Sequence, residues 1–164
     1  METRGVLYVA AGARYIRAAI RSAETVRRHC PDLPVHFCGD WPSHGFDFHR
    51  SPAPFTSVDT LTHPHRRSKV DYLAQTPFDR TLYLDTDTAV HADIRGLFQV
   101  LDRFDLAMTH AHRRNAVARV RSWRLTLPPT FPQYNSGVLL YRRTPAVLEF
   151  LEAWRRHFHD AGFS

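Results

Sequence analysis

A strand, a helix and a second strand follow one another at the start of this chain, and that order restricts the folds open to it. The apolar run Val6 to Ala11 reads as a strand, with Gly12 as its turn. From about Arg14 to His29 the apolar positions Tyr15, Ala18, Ala19, Ala23 and Val26 recur at helical spacing, with arginines on the other face, and Pro31 ends the pattern. Pro34 to Cys38 then gives a second short strand closed by Gly39-Asp40. Strands joined through a helix run parallel with a right-handed crossover, so the chain opens as a β-α-β unit.

Further along, the residues after Asp40 are rich in Pro, His, Ser and Phe and read as surface loops, with a third strand near Phe46 to His49. Pro64 to Gln75 has a helical pattern whose buried face is Val70, Leu73 and Ala74, and Thr76-Pro77-Phe78-Asp79 breaks it. After the next strand, Ile94, Leu97, Phe98 and Leu101 are spaced as a short amphipathic helix capped by Asp93. Asp105 to Thr109 is a further strand, and residues 111 to 133 combine loop with a basic helix. Tyr134 to Arg142 is a polar turn running into a buried strand, and Pro145 opens a last helix through His157. Alternating strands and helices without repeats or a linker predict a single α/β domain, a mostly parallel sheet with flanking helices, whose ligands gather beyond the carboxyl ends of the strands. A chain of 164 residues is long enough to bury about 70% of its unfolded surface in one core.

The chemistry concentrates in Leu82-Tyr83-Leu84-Asp85-Thr86-Asp87. A buried strand here delivers two carboxylates, one residue apart, to its own C-terminal edge. Side chains two apart share a face while the backbone stays extended, so the two acids converge and repel unless a cation sits between them. A hard, oxygen-preferring ion, Mn²⁺ or Mg²⁺, suits that place, and such an ion commonly meets a phosphate. Asp is also common at strand ends for its own backbone hydrogen bonds, which is the plainer account of the same residues.

Apolar residues make up 43% and charged residues 23%, near globular averages, and no apolar run approaches the roughly 20 residues that span a membrane. Val6 to Ala11 is too short and too strand-like for a signal-peptide core, and the only cysteines, Cys30 and Cys38, fit reduced, buried thiols. Both point to a cytoplasmic protein. The net charge of +6 arises from 22 basic and 16 acidic residues, all basic ones but Lys69 being arginine, and favours an anionic partner without naming its class.

With these residues in hand, the chain resembles nucleotide-sugar glycosyltransferases of the A-type fold, in particular glycosyltransferase family eight and its bacterial relatives. Three segments carry the likeness: Val9-Ala10-Ala11-Gly12 with Tyr15 at a helix start, Lys69 with Phe78 to Asp87, and Tyr134-Asn135-Ser136-Gly137-Val138-Leu139. The resemblance implies a metal-dependent transfer of a sugar from a nucleotide diphosphate sugar, with a uridine diphosphate sugar foremost, to an acceptor it does not name. By the same resemblance Asp85 and Asp87 hold the metal on the diphosphate, and Ala10, Ala11, Tyr15, Lys69 and Thr86 meet the nucleotide. Asn135, Ser136 and Gly137 line the sugar site, where the amide offers both a donor and an acceptor and the glycine admits a ring close to the backbone. Asn-Ser-Gly is equally ordinary turn chemistry. The family usually completes its metal site with a histidine or carboxylate well beyond the Asn-X-Gly strand, and this sequence ends at Ser164, so the C-terminal part of the pattern is expected to be absent. His157 and His159 lie too near that strand to match it.

Two other readings are open. Asp85-Thr86-Asp87-Thr88 also spells the nucleophile motif of haloacid-dehalogenase-type phosphatases, with Asp85 as nucleophile and Asp87 as general acid, although that family needs a lysine and an acid pair downstream. Arg113, Arg114, Arg119, Arg121 and Arg124 with Trp123 suggest a nucleic-acid-binding module, but apolar residues and prolines interrupt them, and nucleic acid is not the expected partner.

Overall fold

In the computed structural model, whose described residues are 2–111 and 134–162, the apolar runs assemble into one six-stranded sheet. Strand β1 (Arg4–Ala10) is buried after its first residue, as a central strand covered on both faces must be. It pairs in parallel with β2 (Val35–Gly39) on one side and with β4 (Arg80–Leu84) on the other, so the opening β-α-β unit is present. Strand β3 (Ser57–Thr60) extends the sheet in parallel beyond β2. On the other side β6 (Tyr134–Arg142) runs antiparallel to both β4 and β5 (Leu106–His110), giving the order β3-β2-β1-β4-β6-β5.

Alternation along β1 divides the core. Val6, Tyr8 and Ala10 face helix α1 (Ala13–His29), whose Ile16, Ala19, Ala23 and Val26 are buried with them, while Leu7 and Val9 face the opposite layer. That layer contains Tyr72 and Leu73 from the segment of α2 (Lys69–Tyr72), and Val147 and Leu151 from α3 (Pro145–Asp160). The chain enters α1 through Gly12, whose φ of 95° favours glycine, and its N–H donates to Asp40 Oδ1 at 2.8 Å. Helix α3 begins as its sequence predicts, with Pro145 in the first turn and Thr144 Oγ1 accepting from the Val147 N–H.

Four expectations need correction. The buried face of α1 is rotated from the one read in the sequence: Ile16 is fully buried, whereas Tyr15 is 41% exposed. The third strand is Ser57–Thr60 and not Phe46 to His49, because Phe46 and Phe48 turn inward to pack on one another. The stretch expected as surface loop supplies Trp41, Phe48 and Phe55 to the core, with Phe55 stacked on Phe37 at 4.5 Å between ring centres. The helix expected over Pro64 to Gln75 is one α-turn, Lys69–Tyr72, and a 3₁₀ turn, Leu73–Gln75. Ser68 Oγ donates to His65 C=O and accepts from the His65 N–H, which closes a local turn in place of helix.

The segment read as an amphipathic helix is 3₁₀, Arg95–Asp102, with Phe98 and Leu101 buried and Leu97 exposed; Asp93 Oδ1 accepts from the Arg95 N–H near its start. Cys30 and Cys38 are free and buried. Residues 113–124, on which the nucleic-acid reading rested, lie outside the described residues. No helix among the described residues is long and apolar enough to cross a membrane.

Candidate active site

Strand β4 ends at Leu84, which places Asp85 at the C-terminal edge of the sheet and Asp87 two residues beyond it. The antiparallel course of β6 is what completes this corner. Its register against β5 shifts between Met108 and Thr109, and here Gly137 C=O accepts from the Asp85 N–H at 2.8 Å. Ser136 C=O accepts from Lys69 Nζ at 3.0 Å.

Asp85 uses its two oxygens differently. Oδ1 accepts from Tyr83 Oη at 2.6 Å and from Lys69 Nζ at 2.9 Å. The Tyr83 phenol keeps its proton for this bond, since burial first and the Asp85 charge second push its pKa well above the usual value. Lys69 is itself about 10% exposed in its side chain and lies 5.3 Å from the Tyr83 ring centre, so it is a held cation and not a solvated one. Oδ2 receives no hydrogen bond from a described residue, and neither does the exposed carboxylate of Asp87. Among the described residues, then, the corner presents free carboxylate oxygens on two neighbouring side chains.

The loop carrying the acids is stitched to the core. Thr88 Oγ1 donates to Asp85 C=O at 2.7 Å and lies 3.1 Å from Ser22 Oγ, which lies 2.7 Å from Tyr8 Oη. Thr25 Oγ1 accepts from the Val90 N–H at 2.9 Å.

A cleft of about 640 Å³ opens over this corner, and Ala10, Ala11, Tyr15, Lys69, Asp85, Thr86 and Asp87 all line it. Arg14, Arg21, Arg66 and Arg67 line it as well, and sequence reasoning had not singled them out. Arg14, Ala18, Arg21 and Thr25 are spaced four, three and four apart and so share one face of α1, but that spacing does not tell a ligand-facing arginine from a solvated one. Five cationic side chains thus surround two acids, a field suited to an anion larger than one carboxylate can repel.

Asn135, Ser136 and Gly137 do not line that cleft but adjoin it through Lys69 and Asp85. Asn135 Oδ1 accepts from the Gly137 N–H at 2.8 Å, a local turn bond. A Cβ at Gly137 would stand 3.1 Å from Asp85 Oδ2, so in this structure the missing side chain makes room for the carboxylate.

Neither late histidine reaches the acids. His159 Nε2 pairs with Asp71 Oδ1 at 2.7 Å, Asp71 also pairs with His65, and His157 lines a separate apolar groove with Met108, Phe150 and Trp154. Burial works to raise the Asp71 pKa, but the bonds from His159 and His65 outweigh it and hold the carboxyl below its usual value. His65 also lines the cleft, so this trio ties α3 to the cleft wall. Among the described residues, Asp85 and Asp87 belong to no cluster of three or more metal-ligating side chains.

No family model matches this sequence, and no curated protein matches it. Solved structures do match its fold. The chain is similar to the glycosyltransferase GlyE of Streptococcus pneumoniae TIGR4 (TM-score 0.61, 19% identity), over 98% of this chain and 38% of that one. It is similar to the galactosyltransferase LgtC in complex with donor and acceptor sugar analogues (TM-score 0.59, 17% identity), over 93% of this chain and 60% of that one. The apo bifunctional glycosyltransferase WbbM aligns at TM-score 0.58 and 13% identity, over 90% of this chain and 33% of that one. The fold is therefore the A-type glycosyltransferase fold, as the sequence led one to expect, and the chain spans 33 to 60% of the lengths of these neighbours.

Proposed function

We propose that this chain binds the donor of a glycosyl transfer, a nucleotide diphosphate sugar, through a divalent cation held by Asp85 and Asp87. One observation carries the reading: two neighbouring carboxylates, with oxygens that no described residue hydrogen-bonds, line a cleft together with the cations Arg14, Arg21, Arg66, Arg67 and Lys69. Such a cleft suits a polyanion that brings a metal with it, and the glycosyltransferase fold supplies the class of polyanion. The phosphatase reading of the same motif is not favoured by these neighbours.

The donor set fits the group. Asp85 Oδ2 and Asp87 offer hard oxygens, which suits Mn²⁺ or Mg²⁺, with water and diphosphate oxygens left to fill the remaining positions. Bound there, the cation supplies charge neutralisation that grows in value as the diphosphate leaves. The protein's own groups do the remaining work. Tyr83 and Lys69 fix the Asp85 carboxylate through Oδ1, which leaves Oδ2 for a ligand, and the arginines draw the phosphates in. Tyr15, Ala10, Ala11 and Thr86 line the cleft; Tyr15 with the backbone of Ala10 and Ala11 is the proposed contact for the base, and Thr86 the proposed contact for the ribose. Asn135, Ser136 and Gly137, adjoining the corner, are the proposed sugar contacts.

The test is a thermal-shift panel of uridine, guanosine and other nucleotide diphosphate sugars with and without Mn²⁺. A cognate donor at about 100 times its Kd stabilises by about 2.7 kcal/mol, or about 5–10 °C for a chain of this size, and only with the metal. A panel flat in both conditions overturns the proposal.

Lys69 makes a sharper forecast. It occupies Asp85 Oδ1 and repels an incoming cation while attracting phosphate. Lys69→Met should therefore bind Mn²⁺ alone more tightly than wild type, yet bind the nucleotide diphosphate at saturating Mn²⁺ about tenfold more weakly. Calorimetry with metal alone and then with nucleotide separates the two effects, and losses in both would assign Lys69 a merely structural part.

A further inference from the structure

At the outer edge of the sheet, far along β2 from the acids of β4, stand three side chains that the proposed transfer does not use. His36 and Cys38 are two apart on β2 and point to the same face, and Asp59 of β3 lies directly opposite Cys38 in the parallel register. His36 Nε2 is 3.4 Å from Cys38 Sγ and 3.3 Å from Asp59 Oδ2. A tetrahedral zinc ion, with bonds of about 2.0–2.1 Å to nitrogen and oxygen and about 2.3 Å to sulfur, holds neighbouring ligand atoms about 3.3–3.6 Å apart. The two separations from His36 match that spacing, and the ligand atoms of all three side chains lie within 4.8 Å of one another.

From this convergence we infer a zinc-class metal site formed by His36, Cys38 and Asp59, with water in the fourth position.

Hydrogen bonding alone serves the trio poorly. One ring nitrogen faces both a thiol and a carboxylate. If Nε2 is unprotonated it accepts from Sγ–H but meets the Asp59 oxygen as lone pair against lone pair; if protonated it must divide one proton between sulfur and carboxylate. A cation in place of that proton takes a lone pair from all three. The remaining ring nitrogen is suitably engaged, since His36 Nδ1 lies 2.8 Å from Ser57 Oγ, a hydroxyl able to accept Nδ1–H and so fix the tautomer that turns Nε2 to the metal. Trp41 Nε1 donates to the Asp59 C=O at 3.4 Å and fixes the backbone that carries the carboxylate.

Burial supports the identity of the ion and the route by which it enters. His36 and Cys38 are almost wholly buried, whereas the Asp59 side chain is 73% exposed, so the site opens to water on the carboxylate side. Burial first, and then the Asp59 charge, push the Cys38 thiol up to about 12. The metal-free thiol is therefore protonated near neutrality, and binding forms a metal–sulfur bond as that proton leaves for solvent. A thiolate with an imidazole and a carboxylate selects zinc or its cobalt substitute over Mg²⁺. The geometry also differs from that of a catalytic cysteine, whose histidine divides its two nitrogens between nucleophile and carboxylate, whereas here Nε2 faces both and Nδ1 meets Ser57.

The test is a Co²⁺ titration of the full chain carrying Asp85→Asn and Asp87→Asn, so that the acids of β4 do not contribute. One equivalent should produce a sulfur-to-cobalt charge-transfer band with intense tetrahedral d–d bands, displaceable by Zn²⁺. The second histidine and aspartate cluster, His65, Asp71 and His159, contains no sulfur and cannot give that band. Cys38→Ser should abolish the band, Cys30→Ser should keep it, and the exposed Asp59→Asn should weaken Co²⁺ binding by tenfold or more. Should Cys38→Ser not fold, the wild-type titration and Asp59→Asn decide the matter alone. Absence of the band in the parent chain, a band that survives Cys38→Ser, or unchanged affinity in Asp59→Asn overturns the inference.

Discussion

Asp85→Asn or Asp87→Asn should lower Mn²⁺-dependent affinity for a nucleotide diphosphate on the order of 10²–10³-fold, and Asp87→Asn should do so while leaving the thermal unfolding of the metal-free chain almost unchanged. The second half of that expectation separates a ligand from a turn residue. Asp87 is exposed and makes no hydrogen bond to a described residue, so replacing its carboxylate removes no bond among the described residues. Asp85 has Tyr83 and Lys69 on Oδ1, and although an asparagine carbonyl there still accepts from both, the mostly buried Lys69 loses its counter-charge, so Asp85→Asn also lowers stability and Asp87→Asn is the cleaner variant. What disappears in each variant is negative charge facing the cleft. Isothermal calorimetry with and without Mn²⁺ reads it directly, and affinity retained in both variants would return the pair to ordinary strand-end chemistry.

Phe55→Ala should cost about 3–5 kcal/mol, a large share of the roughly 5–15 kcal/mol that holds a domain together. Phe55 lies in the stretch whose Pro and Ser content reads as surface loop, yet it is 3% exposed, stacks on Phe37 and meets the edge of Phe48 at 5.4 Å. A side chain on a true surface loop would shift stability by no more than about 0.5 kcal/mol. Urea unfolding of the variant distinguishes these outcomes, and its slope reports whether the denatured state has changed.

The two cases mark what could be read in the sequence. The acid strand was legible because its information is local: an unbroken apolar run and the carboxylates that follow it are adjacent in the chain. The strand Tyr134–Arg142 was legible on the same terms, and so were the β-α-β start and the last helix. The aromatic wall of Trp41, Phe48 and Phe55 was not, since nothing within that stretch has a period and its burial depends on meeting Phe37 and Tyr8 from other strands. The helix before β4 was overread because its pattern suited helix while Ser68 and His65 satisfied each other's backbone instead. Of the cleft, Asp85, Asp87 and Lys69 could be singled out from the sequence, as could Ala10, Ala11, Tyr15 and Thr86 through the family resemblance. Arg14, Arg21, Arg66 and Arg67 were passed over because an arginine on an outer face looks the same in sequence whether that face meets solvent or a ligand.

The run of hydroxyls behind Asp85 has a direction. Thr88 Oγ1 gives its one proton to the Asp85 carbonyl, so it must accept from Ser22, and Ser22 must in turn accept from Tyr8. Three aligned O–H dipoles therefore end on the peptide that carries the first acid, each polarising the next. The peptide of Asp85 is set in place when the chain folds, and a ligand arriving there finds that carboxylate's support preorganised.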